Sequence, residues 1–146
     1  MFEKIIVAFD ASPQSFAALR AALEIAQKFG ATVTAVSVVR LPEYAGTLDE
    51  VDENIQRARQ YYEQPLRQAA FLAAEKGVEL KSEVLYGHTG ERLVEFATTT
   101  GADLIVTGAR GLSGVKRYLL GSVSNYLVNH APCPVLVIRD KEPAAR

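Results

Sequence analysis

Glycines and a serine near the end of the chain have the chemistry to hold an anion. Gly108 and Gly111 follow an apolar run, and Gly121-Ser122 comes after nine further residues, at the start of a helical pattern. Because glycine lacks a Cβ, its backbone N–H can approach phosphate oxygens closely. The start of a helix adds unpaired N–H groups and a favourable dipole, and Ser122 adds a hydroxyl. The stretch predicts a phosphate-binding loop; the alternative is a pair of turns between a strand and a helix.

A carboxylate follows the first apolar run of the chain, at Asp10. In an open α/β sheet, ligands bind beyond the carboxyl ends of the strands, where the strand order reverses. We therefore expect Asp10 to share a crevice with the glycines, although it could also cap the next helix, a role for which Ser12 competes. Lys116 and Arg117 would screen phosphate charge, whereas Arg110 either reaches the phosphates or stays in solvent.

Two better-known nucleotide loops do not match this chain. A P-loop needs Gly-Lys-Ser/Thr where a helix starts, and Gly121-Ser122-Val123 has no lysine there. The dinucleotide fingerprint Gly-x-Gly-x-x-Gly should follow the first strand, where this chain has Asp10-Ala11-Ser12. A nicotinamide or flavin site is therefore disfavoured.

Short apolar runs alternate with helical patterns along the chain. The predicted strands are Lys4–Phe9, Thr32–Val39, Glu79–Tyr86, Leu104–Thr107 and Val135–Arg139. Most are continuous Val/Ile/Leu runs, which is typical of a sheet covered on both faces. Alternation of strands and helices predicts right-handed βαβ units and a parallel sheet.

Capping residues and apolar spacing predict the first two helices. Ser12 is a suitable N-cap, Pro13 suits the first helical position, and Gly30 ends the pattern. A longer stripe of apolar residues spans residues 49–76. Pro65 interrupts it and should kink or split that helix, because proline cannot donate to the carbonyl four residues earlier.

Two shorter helices complete the pattern. One opens at Thr89 or Gly90, and the last starts near Gly121 and should turn Leu127 and His130 inward. On the long helix, Tyr61 and Tyr62 are expected to cover the core.

Composition excludes several classes of protein. The chain has 146 residues and a net charge of -1, which suits one domain over residues 1–140 with a frayed tail at 141–146 and disfavours nucleic-acid binding. No apolar stretch approaches the ~20 residues of a membrane span, and Met1 runs almost directly into a strand, so we expect a cytoplasmic protein. Cys133 is expected to be a small buried hydrophobe. His88 and His130 lack partners at metal-ligand spacing.

Taken together, the motifs resemble those of the universal stress protein family over essentially the whole chain. The resemblance rests on Ile5–Ser12, on Gly108-x-x-Gly111 followed after nine residues by Gly121-Ser122, and on the closing segments 120–124 and 130–138. Ala11 stands where the family often has glycine, and His88 where proline is common.

The resemblance implies a fold and a ligand. The expected fold is an open, five-stranded parallel sheet in order 3-2-1-4-5, Rossmann-like, with helices on both faces. Family members with the full glycine pattern bind ATP. By resemblance, Asp10 would contact the ribose or adenine side, the backbone of Ala8 would border the base, and Val38 would hold the adenine edge. Ribose and phosphates would be contacted by Gly108, Gly111, Gly121, Ser122 and Ser124, with Val123 contributing backbone.

Three functions remain open from the sequence. The first is an ATP-binding regulatory module of the stress response, with or without Mg²⁺ and with little or no hydrolysis. The second is a slow ATPase or nucleotidyl-transfer enzyme, which is disfavoured because no Asp or Glu lies between Gly108 and Asn125 to hold a metal. The third is a ligand-free interaction module. The resemblance also implies a homodimer built through the last strand, whose exposed edge would invite pairing.

Overall fold

Strands and helices alternate in the computed structural model, which describes residues 1–40, 47–109 and 120–139. The predicted tail at 141–146 lies outside these residues. In chain order the elements are β1 (Lys4–Ala8), α1 (Pro13–Phe29), β2 (Thr32–Val39), α2 (Leu48–Glu75), β3 (Leu80–Tyr86), α3 (Thr89–Thr100), β4 (Leu104–Gly108), α4 (Ser122–His130) and β5 (Val135–Ile138).

The strands form one parallel sheet in the order β3-β2-β1-β4-β5. This confirms the expected fold and strand order. Val7 of β1 lies opposite Ala35 of β2 on one side and Val106 of β4 on the other. The chain thus adds β2 and β3 on one side of β1 and then returns to add β4 and β5 on the other side. The crevice outside the carboxyl ends of β1 and β4 is the place where α/β sheets hold ligands.

Both faces of the sheet are covered. Ile5 and Val7 pack into the apolar cluster on the α1 and α2 side, whereas Ile6 packs into the opposite cluster with Leu93 of α3 and Leu127 of α4. Successive strand residues point to opposite faces, so a strand buried on both sides is apolar at most positions. This is why the central strands read as unbroken Val/Ile runs in the sequence.

Local signals correctly predicted the first helix. Ser12 is its N-cap, and the Ser12 side chain accepts the backbone N–H of Ser15. Pro13 occupies the first helical position, where its missing N–H costs nothing. Gly30 ends the helix with φ +70, a left-handed conformation that glycine adopts without steric penalty.

The long helix α2 continues through Pro65 as one element, so the helix is not split there, and a kink at Pro65 stays a prediction. The carbonyl that loses its partner belongs to Tyr61, a residue that is 56% exposed, so this turn of the helix lies at the surface. Tyr62 is only 8% exposed and covers the core as predicted. The same prediction was wrong for Tyr61, because adjacent helical positions point about 100° apart.

Smaller differences occur at element ends. The predicted strands ran one residue too far at Phe9 and Arg139, and β3 begins one residue later than Glu79. His130 is exposed at the end of α4, stacked on Tyr126 with ring centroids 4.1 Å apart, so its predicted inward position was wrong. Cys133 is half-buried against the α3 and α4 side. None of the described helices combines the length and apolarity that a membrane crossing requires.

Candidate functional site

A cavity lies at the carboxyl edge of the sheet, where the ends of β1, β2 and β4 meet the starts of α1, α3 and α4. Strand ends contribute Ala8, Phe9, Asp10, Val36, Val38, Thr107, Gly108 and Ala109. Helix starts contribute Ser12, Ser15, Thr89, Leu93, Gly121, Ser122, Val123 and Ser124. The cavity sits at the reversal point of the strand order, which is the position that the topology favours for a ligand.

The fold brings together the residues that the sequence predicted for the site. Those that line the cavity are Ala8, Asp10, Val38, Gly108, Gly121, Ser122, Val123 and Ser124. Gly111 lies outside the described residues, as do Arg110, Lys116 and Arg117. Contact of any of these residues with a nucleotide stays a prediction.

Asp10 is held in a tight turn between β1 and α1. Its Oδ1 accepts the backbone N–H of Ser12 at 2.9 Å, and the Oγ of Ser12 accepts the N–H of Ser15 at 3.1 Å. The Ser15 hydroxyl donates in turn to the Ser12 carbonyl at 2.9 Å. The turn therefore satisfies its own polar groups and fixes the carboxylate at the cavity rim.

The turn also contains a strained residue. Ala11 has φ +67, the only positive φ of a residue other than glycine in the described part of the chain. A Cβ in the left-handed region approaches the following carbonyl and costs roughly 1–2 kcal/mol. The strain explains why the family often has glycine at the position of Ala11, since glycine adopts this conformation without a steric penalty.

The start of α4 offers backbone donors to the cavity. Gly121 is the N-cap and has no side chain to accept the first helical N–H groups. The N–H groups of Ser122, Val123 and Ser124 precede the first intrahelical bond, which Asn125 makes to the Gly121 carbonyl at 3.0 Å. Three amides and the positive end of the helix dipole thus lie at one end of the cavity, an arrangement suited to an anion.

Two hydrogen bonds seat this helix start against β4. The Gly121 N–H donates to the carbonyl of Ala109 at 2.7 Å. The Ser124 hydroxyl lies 3.1 Å from the same carbonyl and 3.1 Å from that of Gly121, and Ser124 is 1% exposed. Ser124 therefore holds the donors of α4 in position through its side chain.

Gly108 has a packing role that the sequence did not reveal. A Cβ at this position would lie 2.9 Å from the Cβ of Gln14 and 3.1 Å from its carbonyl oxygen. Glycine is thus needed so that α1 can approach β4. Gly121 has φ -64 and ψ 165, which any residue can adopt, so its backbone conformation does not require glycine.

The other end of the cavity is apolar. Ala8, Val36 and Val38 line it from the strands, and Leu93 lines it from α3. The predicted site residues did not include Thr89 or Leu93. Thr89 lies three residues after the end of β3, where the rule about strand ends could have indicated it, whereas Leu93 lies inside α3. The cavity therefore joins an apolar region to a donor-rich one, as a molecule with a flat ring and an anionic tail requires.

The electrostatics place negative charge at the rim. Burial raises the pKa of Tyr62 to about 12, with further contributions from the Asp10 carboxylate and from Tyr61. The Asp10 carboxylate at the cavity rim thus also disfavours ionisation of Tyr62 on α2. Burial also raises the pKa of the Cys133 thiol, with a contribution from Asp103, so it stays protonated near neutral pH. Within the described ranges, no group of three or more His, Cys, Asp or Glu side chains could hold a metal ion.

The fold and the cavity define an open, doubly wound α/β protein with a cavity at the reversal point of its sheet. A model of the universal stress protein family matches residues 1–139. The chain belongs to this family. Universal stress protein MJ0531 of Methanocaldococcus jannaschii is 35% identical over 141 residues, which cover 95% of this chain and 83% of that relative.

Solved structures agree with this assignment. Universal stress protein UspA from Lactobacillus plantarum is 34% identical, with a TM-score of 0.76, covering 94% of this chain and 98% of that one. The universal stress protein from Archaeoglobus fulgidus, solved in complex with dAMP, is 26% identical with a TM-score of 0.68. That match also covers 94% of this chain and 98% of the other.

Proposed function

We propose that this chain is a cytoplasmic ATP-binding module of the stress response, whose nucleotide state is read by other proteins. The observation that carries the proposal is the cavity itself, with the backbone amides at the start of α4 at one end and an apolar wall at the other. The related protein from Archaeoglobus fulgidus was solved with dAMP, an adenine nucleotide, which supports the same ligand class here.

The chemistry of the cavity suggests how ATP would lie in it. Ala8 and Val38 offer an apolar border for the adenine, and the Asp10 carboxylate can accept hydrogen bonds from ribose hydroxyls. The phosphates would meet the backbone amides at the start of α4 and the hydroxyl of Ser122. Gly108 and Gly111 would border the phosphate side, and any Mg²⁺ would arrive with the ATP.

Few groups are available to hydrolyse the nucleotide. Asp10 is the only carboxylate among the described residues that line the cavity. Phosphoryl transfer usually needs metal-holding carboxylates and a group that positions the attacking water. The module would therefore bind ATP and release it unchanged, or hydrolyse it slowly.

Calorimetric titration with ATP, AMP and dAMP, each with and without Mg²⁺, tests the proposal. We expect ATP to bind to the wild-type protein. Gly121→Leu should weaken ATP binding about 100-fold, equivalent to about 2.7 kcal/mol of binding free energy. A leucine side chain would occupy the space beside the α4 amides. Val128→Leu is the matched control, because Val128 is 51% exposed on the same helix and does not line the cavity.

Two results would count against nucleotide binding. One is the absence of heat or thermal stabilisation at millimolar ATP with the folded wild-type protein. The other is unchanged binding by Gly121→Leu, provided that circular dichroism shows the variant folded. Phosphate release on the order of 1 s⁻¹ would instead favour the enzyme alternative.

A second proposal concerns assembly through β5. This strand is at the edge of the sheet, pairs with β4 alone in the described sheet, and all four of its residues are partly exposed. Its unpaired edge and apolar side chains suit a homodimer. Light scattering across the micromolar range should show a dimer that Val137→Lys dissociates; a monomer at every concentration would contradict this proposal.

A further inference from the structure

A second concave surface lies between α1 and α2, on the face of the sheet opposite α3 and α4. This groove has a volume of about 590 Å³ and is open along its length. Its lining residues are Pro13, Phe16, Arg20, Gln64, Arg67, Gln68, Phe71 and Leu72. We call this surface the α1–α2 groove.

The groove combines one exposed apolar side chain, Phe71, with two that pack partly against the core, Phe16 and Leu72. Phe71 is 65% exposed, which is unusual for a phenylalanine on a helix that already buries Ala69 and Ala73. Phe16 and Leu72 are half-buried beside it. The groove can therefore bury one or two apolar side chains of another molecule with little movement of its own side chains.

The charge at the groove is positive. Arg20 and Arg67 line it, and no carboxylate is among its described lining residues. The Arg20 guanidinium carbon lies 6.0 Å from the centroid of the Phe16 ring, so the cation is held over the groove wall. Arg67 pairs with Glu63 at 2.7 Å, but both side chains are mostly exposed, and such a pair exchanges readily for another carboxylate.

We propose that the α1–α2 groove docks a segment of a partner protein that carries an aromatic or aliphatic anchor flanked by Asp or Glu residues. The anchor packs between Phe16 and Phe71, and the carboxylates pair with Arg20 and Arg67. Complementary charge on both sides of an apolar anchor fixes the register of such a segment and excludes basic ones.

The groove is joined to the nucleotide cavity by two aromatic rings. Phe16 packs edge-to-face on Phe9 with centroids 5.0 Å apart, and Phe9 lines the cavity. A partner in the groove thus contacts the same start of α1 that borders the cavity. Groove binding is measured without nucleotide, so its outcome is independent of whether ATP binds.

Selection from a random library of displayed 12-residue peptides tests the proposal. We expect the wild-type protein to enrich peptides with acidic residues on both sides of Phe, Trp, Tyr, Leu or Ile. Fluorescein-labelled versions of the enriched peptides are then titrated by anisotropy. Phe71→Ser and the double variant Arg20→Glu/Arg67→Glu should each bind at least about 10-fold more weakly. Replacing the peptide carboxylates with lysines should restore binding to the double variant.

Matched controls separate the groove from general surface effects. The double variant Lys28→Glu/Arg59→Glu makes the same charge change at exposed positions of α1 and α2 outside the groove, and Val128→Ser removes an exposed apolar side chain from α4. Both should bind the peptides as the wild type does. The proposal is overturned if no acidic peptides are enriched, or if the groove variants, folded by circular dichroism, bind them normally. Dissociation of a dimer by the groove variants in light scattering would also overturn it, because a second copy would then occupy the groove.

Discussion

The starts of α1 and α4 both reach the cavity, but they treat their first backbone N–H groups in opposite ways. At α1, Asp10 and Ser12 accept N–H groups at 2.9 and 3.1 Å, so the helix start is satisfied by its own side chains. At α4 the N-cap is Gly121, which has no side chain that could accept a hydrogen bond from the first N–H groups of the helix.

The difference contrasts a helix start that its own side chains satisfy with one whose N–H groups the proposed ligand would meet. A capped start stabilises the helix by about 1 kcal/mol and leaves little for a ligand. An uncapped start forgoes that stabilisation and keeps three donors and a dipole available. The buried Ser124 hydroxyl and the Gly121 N–H hold the open start in place through β4 instead.

The largest effect on stability is expected at the junction between the two helix starts. Gly108→Val would place a Cβ 2.9 Å from that of Gln14 and force α1 away from β4. We expect a loss of about 3 kcal/mol, as for overpacked cores. Urea unfolding followed by circular dichroism measures it. Ser122→Val, at an exposed position, should change the free energy by less than about 0.5 kcal/mol. Equal midpoints for the two variants would show that Gly108 is not a packing requirement.

The burial of Tyr62, with a smaller contribution from the Asp10 charge, should appear in the alkaline pH dependence of stability. The pKa of Tyr62 is about 12 in the fold against 10.0 ordinarily, so between these values the folded state keeps a proton that the unfolded chain has lost. Stability from this group is complete below pH 10 and falls by about 2 kcal/mol as pH rises to about 12. Tyr62→Phe should flatten this part of the curve, whereas Tyr61→Phe, at a more exposed position, should not. A Tyr62→Phe curve parallel to that of the wild type would contradict the assignment.

A pair of serine variants tests the comparison directly. Ser12→Ala removes the cap of α1 and should destabilise the protein by about 1 kcal/mol. Ser122→Ala removes an exposed hydroxyl and should leave stability within about 0.5 kcal/mol while weakening ATP binding about 3-fold to 10-fold. Thermal unfolding and calorimetry distinguish the two effects. If Ser122→Ala were the more destabilising variant, the division between a structural and a ligand-facing start would be wrong.

The smallest expected effect is a gain in stability at the turn before α1. Ala11→Gly relieves the left-handed strain at φ +67 but also increases the freedom of the unfolded chain. The net result should be a stabilisation of about 0.5 kcal/mol in urea unfolding. Ala70→Gly, at an exposed position inside α2, should instead destabilise by about 1 kcal/mol. Destabilisation by Ala11→Gly would mean that the turn relaxes its strain in solution.

Particular residues show which features of the fold could be predicted from the sequence and which could not. The bounds of α1 followed from Ser12, Pro13 and Gly30, because caps and breakers act within one turn of the chain. The continuity of α2 through Pro65 did not follow, since the cost of a missing bond depends on whether water can reach the freed carbonyl. Leu93 was missed as a cavity residue because its place depends on the packing of α3 over β2.

The sequence by itself determined the alternation of strands and helices and the apolar character of the central strands. It also placed most of the cavity residues at strand ends and helix starts, since these properties depend on neighbours a few positions apart. Only the tertiary structure decided that Gly108 makes room for α1, that Ser124 anchors α4, and that α1 and α2 leave a groove between them. These depend on the distance between elements far apart in the chain, which packing alone sets.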